Sequence, residues 1–271
     1  MTGMPVTPTT PRGPAGRTAP TAAAAPGAPR TTAPASRALR HAGAVAAGIV
    51  VLAGAAACST VDVGPRTTQE REVGDVASVR LETSGRLVVQ RGPEPSLEVS
   101  AGELVIDRLT SEVVGGTLVL GVEDRGPGSF GPVEYRLTVS ELTEVDVRGS
   151  GEVEGHGVTG RDLAVRIGGS GDVDLSDLDT ATVRVVLEGS GDVRLAGAAR
   201  EAAIAVEGSG EVLADDLEAD EADVTVRGSG EVQVHVSGDL RAVVDGSGSV
   251  RHTGDPDVVA DVRGSGGVRG R

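Results

Sequence analysis

The chain has 271 residues, of which 38 % are hydrophobic, 24 % are charged and 41 are glycine. Phe130 and Tyr135 are the only aromatic side chains, so a core must be built from Val, Leu, Ile and Ala, which suits stacked β-strands better than an enzyme core with bulky anchors. All 25 basic residues are arginine, which excludes Schiff-base lysines, phosphate-loop lysines and Ser-Lys dyads. The formal net charge of −15 argues against nucleic acid as a partner.

The first 57 residues form a different polymer, with five arginines and no acid. Everything after them carries 20 Arg against 40 acids. Residues 1–41 read as a disordered leader rich in Pro, Ala and Thr, ending in Arg37, Arg40 and His41. The apolar run Ala42–Ala57 follows, and directly after it stands Cys58, the only cysteine. A basic stretch, a short apolar run and small residues make the plan of a secretory signal. Sixteen residues fall short of the roughly 17–25 that a spanning helix needs. The boundary resembles the bacterial lipoprotein signal, in which the cysteine is lipidated and becomes the mature N-terminus. Ala55 stands three residues before Cys58, where that signal usually has Leu. The resemblance implies export and a membrane anchor through a lipidated Cys58, with residues 58–71 as a linker.

Residues 72–140 read as less regular coils or a cap. Their alternating or β-branched runs are 76–81, 86–89, 97–99, 104–106, 117–122 and 133–139. Thr83-Ser84-Gly85 reads as a degenerate corner, and 123–132 (EDRGPGSFGP) as an excursion from a stack.

From residue 141 to the C-terminus a Gly-Ser-Gly triplet recurs seven times. Its first glycines are Gly149, Gly169, Gly189, Gly208, Gly228, Gly246 and Gly264, spaced by 20, 20, 19, 20, 18 and 18 residues. A period near 20 signals a stacked array. Two residues before each triplet stands Val147, Ile167, Leu187, Val206, Val226, Val244 or Val262. Four before it stands Val145, Val165, Val185, Ile204, Val224, Ala242 or Ala260. Four after each first glycine is a valine every time, from Val153 to Val268. Alternation with period two makes these columns the inward faces of strands. The residue just before the triplet is usually charged and faces water. Each unit therefore reads as strand, glycine corner, short strand and polar turn. An antiparallel meander would not require the strands on either side of a corner to keep separate column identities. A parallel β-solenoid of about 18–20 residues per coil does, because each residue then sits ~4.8 Å above its copy. At the far end, three residues beyond the last column valine, the pattern leaves a frayed terminus or an edge open to end-to-end self-association.

The serial G-S-G-[DE]-V units and the closing stretch 240–268 make residues 72–271 similar to the auto-transporter adhesin head GIN domain family of bacterial envelope proteins. Members typically close with G-S-G-x-[IV]-x-Y-x-G-x-P. Gly254 and Pro256 match that ending, and His252 stands where Tyr is usual. The resemblance implies a right-handed parallel β-helix on an exported or lipid-anchored chain, with no catalytic residues to carry over.

After each triplet comes an acidic column: Glu152, Asp172, Asp192, Glu211 and Glu231, then Ser249 and Gly267. Five carboxylates ~4.8 Å apart could hold calcium. They could equally be a solvated strand face screened by salt and nearby Arg. The calcium-binding nonapeptide pattern fails, since Val173 occupies the ligand position. The stacked serines have no His or Lys placed to activate them. His41, His156, His235 and His252 are scattered singly, without metal-ligand spacing. The acid run 215–223 (DDLEADEAD) reads as a solvated turn with secondary capacity for a basic partner. The expected function is a non-enzymatic envelope lipoprotein whose adhesin-like β-helix offers a surface to envelope protein or cell-wall polymer. The alternatives are a calcium-responsive structural module, or an envelope polysaccharide hydrolase or lyase. The last would need paired carboxylates in a cleft.

Overall fold

The structure is a computed structural model that describes residues 62–123 and 130–271. Leader, signal segment and Cys58 lie outside the described residues. In chain order the strands are β1 (Arg66–Arg71), β2 (Ser78–Leu81), β3 (Arg86–Arg91), β4 (Ser96–Gly102), β5 (Leu109–Val114), β6 (Thr117–Val122), β7 (Glu134–Val139), β8 (Glu144–Val147) and β9 (Glu152–His156). They continue as β10 (Thr159–Gly169), β11 (Asp172–Gly189), β12 (Asp192–Gly208), β13 (Glu211–Gly228), β14 (Glu231–Gly246), β15 (Ser249–Thr253), β16 (Asp257–Gly264) and β17 (Gly267–Gly270).

From β8 onward the pairing is parallel and in register with the triplets. Val173 pairs Val193, Val193 pairs Val212, and Val212 pairs Val232. On the other side of the corner Ile167 pairs Leu187, Leu187 pairs Val206, and Val206 pairs Val226. These columns are buried through Val244 and Val250 and form one continuous core. The fold is therefore the expected β-solenoid. Its coils differ from the expectation in one respect: the polar turn is no break. β11, for example, runs 18 residues from one corner to the next. It bends at a bulge where the register shifts between Leu175 and Leu178, with Asp177 at φ 55°. A bulge turns a strand sharply while leaving the ladder on either side intact.

The N-terminal part stacks out of chain order. β2 pairs β6 on one edge and β8 on the other, and β3 likewise lies between β7 and β9. The first coil laid down is thus sandwiched between two coils that come later. Thr83-Ser84-Gly85 is its corner, since the backbone N–H of Arg148 donates to Leu81 O at 2.8 Å and that of Glu152 to Gly85 O at 3.0 Å. In the coil beneath, β6 ends at Val122 and β7 begins at Glu134, and the sequence between them holds no Gly-Ser-Gly triplet; most of the expected excursion lies outside the described residues.

That end is closed by antiparallel strands. β4 runs antiparallel to β7, β1 to β4, and β5 to β6. The β5–β6 hairpin turns on Gly115 and Gly116, both with positive φ (61° and 86°), the two-residue turn whose twist fits a hairpin. The run 104–106, read as strand-like, instead leads into a 3-10 turn, Ile106–Arg108, linking β4 to β5. Arg71 of β1 donates to Leu109 O at 2.6 Å and Ile106 O at 3.0 Å, which ties this turn to β1. Residues 66–71 were expected as linker. They form β1 because β4 leaves an edge that six alternating polar residues can pair and blunt with charge.

Candidate functional site

The seven corner glycines form one ridge. From Ser170 onward each triplet serine donates its backbone N–H to a glycine carbonyl of the preceding coil, for example Ser190 to Gly169 at 3.0 Å and Ser229 to Gly208 at 2.8 Å. At Gly189 φ is +145°, and a Cβ there would fall on the Gly169 carbonyl oxygen. Both the backbone angle and the contact with the coil below therefore require glycine. Ser150, Ser170, Ser190, Ser209, Ser229, Ser247 and Ser265 project from this ridge as a row of exposed hydroxyls.

The five acids expected as a column do share one. Glu152 pairs Asp172, Asp192 pairs Glu211, Glu211 pairs Glu231 and Glu231 pairs Ser249. Neighbouring groups engage most of them. Asp172 Oδ1 accepts the backbone N–H of Asp192 at 3.0 Å, Arg194 lies 3.9 Å from Asp192, and Arg251 pairs with Glu231. Gln233 donates to Glu211 at 3.3 Å and to Glu231 at 3.0 Å. Among the described residues no group of three or more His, Cys, Asp or Glu is placed to hold a metal ion.

A second acidic column escaped the sequence reading. Glu201 pairs Glu221, Glu221 pairs Asp239, and Asp239 pairs Asp257. Each stands seven residues before a corner glycine. Counting backward from the triplets would have found it.

Beside the bulges lies an open notch of about 330 Å³, lined by residues that include Asp179, Ala198, Arg200, Asp220 and His235. It forms where Ala198 is in register with Asp179 below and Glu218 above. No aromatic side chain lines it. Two of the histidines bond to hydroxyls one coil away, His156 Nδ1 to Ser176 Oγ at 2.5 Å and His235 Nδ1 to Thr253 Oγ1 at 2.9 Å.

Two charged or polar groups of the N-terminal coils are buried. Asp146 is buried and its Oδ2 accepts from Arg80 Nε at 2.7 Å and Arg148 Nε at 3.0 Å. The hydrogen bond to Asp146 holds the Arg80 guanidinium above its ordinary value against the opposing effect of burial. Tyr135 occupies the inward valine column, in register with Leu87, and is fully buried. Burial pushes its phenol up, more than the Thr83 hydroxyl and the Arg71 charge pull it down.

The chemistry on this surface is that of a repeating polar relief on a fixed backbone, which defines a β-solenoid protein. The chain belongs to the family described as "Putative auto-transporter adhesin, head GIN domain", which matches residues 76–256. Its fold is shared by a solved structure of a putative adhesin from Bacteroides fragilis, 22 % identical with TM-score 0.72, covering 76 % of this chain and 97 % of that one. A protein from Parabacteroides distasonis described as a putative lipid binding protein is 25 % identical with TM-score 0.64, over 77 % and 97 % of the two chains. A putative adhesin from Parabacteroides merdae is 20 % identical with TM-score 0.58, over the same shares. No curated protein matches the sequence. Among the described residues no helix is long and apolar enough to cross a membrane.

Proposed function

We propose that the protein is a non-enzymatic, surface-exposed scaffold of the cell envelope, held by a lipidated Cys58 and presenting its solenoid walls to envelope protein or cell-wall polymer. The observation that carries this reading is the in-register exposure of polar columns along a stack of parallel coils. A ligand with its own repeat can meet such columns at several coils at once, so weak contacts add by proximity. Membership of an adhesin-head family and likeness to adhesin structures support the same reading. The lone cysteine after an apolar run supports the anchor.

The test is made on intact cells. Protease should remove the solenoid from the outside, and Cys58→Ala should release the protein from the membrane fraction. Unchanged membrane retention of that variant overturns the anchor. Cross-linking on intact cells should capture envelope protein or cell-wall polymer on the solenoid, and its failure to capture either overturns the scaffold role.

A further inference from the structure

The two ends of the solenoid are built differently. At the N-terminal end the core columns are covered by Val105, Ile106 and Leu109, all buried. At the other end β16 pairs only with β14, and among the described residues no strand lies on its far side. Val262 is 41 % exposed although its counterparts from Val147 to Val244 are buried, and Val258 is 40 % exposed. Ala260 and Val259 are exposed beside them. This is an apolar edge with a free row of backbone donors and acceptors, the kind that strands pair with.

From this edge we propose that two copies of the chain associate through β16, strand against strand and antiparallel, about a twofold axis at Ala260. The charge pattern favours this register over its two nearest alternatives. Inward residues must face inward residues, so only shifts of two are allowed. With Ala260 opposite its own copy, Val258 meets the partner's Val262, and Asp257 meets the partner's Arg263. Shifting one way sets Asp257 against the partner's Asp261; shifting the other sets Asp261 against itself. Like charges directly opposed disfavour both. Arg263 already lies 2.8 Å from Asp261 within its own chain, which places its guanidinium on this rim. A head-to-tail stack would instead press the apolar edge against the covered end, whose outer strand β1 carries Arg66, Glu70 and Arg71. The interface is therefore isologous and closes at two copies.

Sedimentation velocity on the full-length chain in mild detergent tests this. A monomer–dimer equilibrium is expected in the micromolar range. Asp257→Arg and Arg263→Asp should each weaken it by roughly tenfold or more, and the two together should restore it. Val262→Lys, at a position already exposed, should abolish the dimer while leaving the far-ultraviolet circular dichroism unchanged. A monomer at every concentration overturns the proposal, as do oligomers beyond two. A dimer unmoved by either charge reversal also overturns it and assigns association to another part of the chain. Loss without recovery in the double variant overturns the register.

Discussion

Arg80 Nε lies 2.7 Å from Asp146 Oδ2, joining residues 66 positions apart on adjacent strands β2 and β8. The contact bridges the coil laid down first to the coil that begins the regular repeat. Asp146 is buried, so water offers its carboxylate little compensation, while Arg80 remains 29 % exposed. Asp146→Ala should lower stability by about 1–2 kcal/mol, because Arg80 and Arg148 both lose the buried carboxylate that accepts from them. Asp146→Asn keeps one acceptor and should cost less. Urea unfolding followed by circular dichroism measures both; equal stability of the Ala variant would show that the pair is dispensable.

Gly189 and Gly168 make a controlled comparison. Gly189→Ala introduces a methyl group at positive φ and onto the Gly169 carbonyl, and should destabilise by about 3 kcal/mol. A Cβ at Gly168 meets nothing within 4 Å, and Gly168→Ala should be neutral or stabilise by up to ~1 kcal/mol. Thermal melts of the two variants side by side separate the corner requirement from a general intolerance of glycine replacement.

The regular coils were legible because one offset from each triplet always names one column. The stack, its inward valines and the corner at 83–85 all followed from that counting. The cap did not, because its pairings join segments that share no offset. Nothing local in 78–91 says that β6–β7 will slide beneath it and β8–β9 above. Nor does RTTQER announce a strand until β4 presents an edge. The notch was visible only as the single spacing of 19 between Gly189 and Gly208, which marks a coil one residue short at the bulge. The second acidic column sat at a constant distance from the triplets, but on the side where attention to aliphatic positions hid it.

Tyr135 is the only tyrosine and there is no Trp, so tyrosinate absorbance near 295 nm reports one buried site in the cap. Its phenol is raised by burial, while the unfolded chain titrates near pH ~10. Below that pH both states hold the proton and the phenol adds no pH dependence. Above it the unfolded chain has lost a proton that the folded chain keeps, so stability falls as pH rises until the folded phenol titrates. The absorbance midpoint of native protein should lie above that of protein in denaturant. Coincident midpoints would mean that the cap opens freely. Tyr135→Phe should remove this contribution to the alkaline loss of stability.

Glu221 sits between Glu201 and Asp239 in a column of like charges, each neighbour one coil away. At ~4.8 Å in water each such pair opposes folding by up to about 1 kcal/mol, and salt reduces this strongly. Glu221→Gln removes the charge from the middle of the column without changing side-chain size. It should raise the melting temperature at low ionic strength, and the gain should fade as salt is added. The acids after the corner behave differently, because Glu231 is already engaged by Arg251 and Gln233. Glu231→Gln should therefore stabilise less or even destabilise. If both variants respond alike at every salt concentration, the two columns are electrostatically equivalent and the engagement of Glu231 by Arg251 and Gln233 has no energetic consequence.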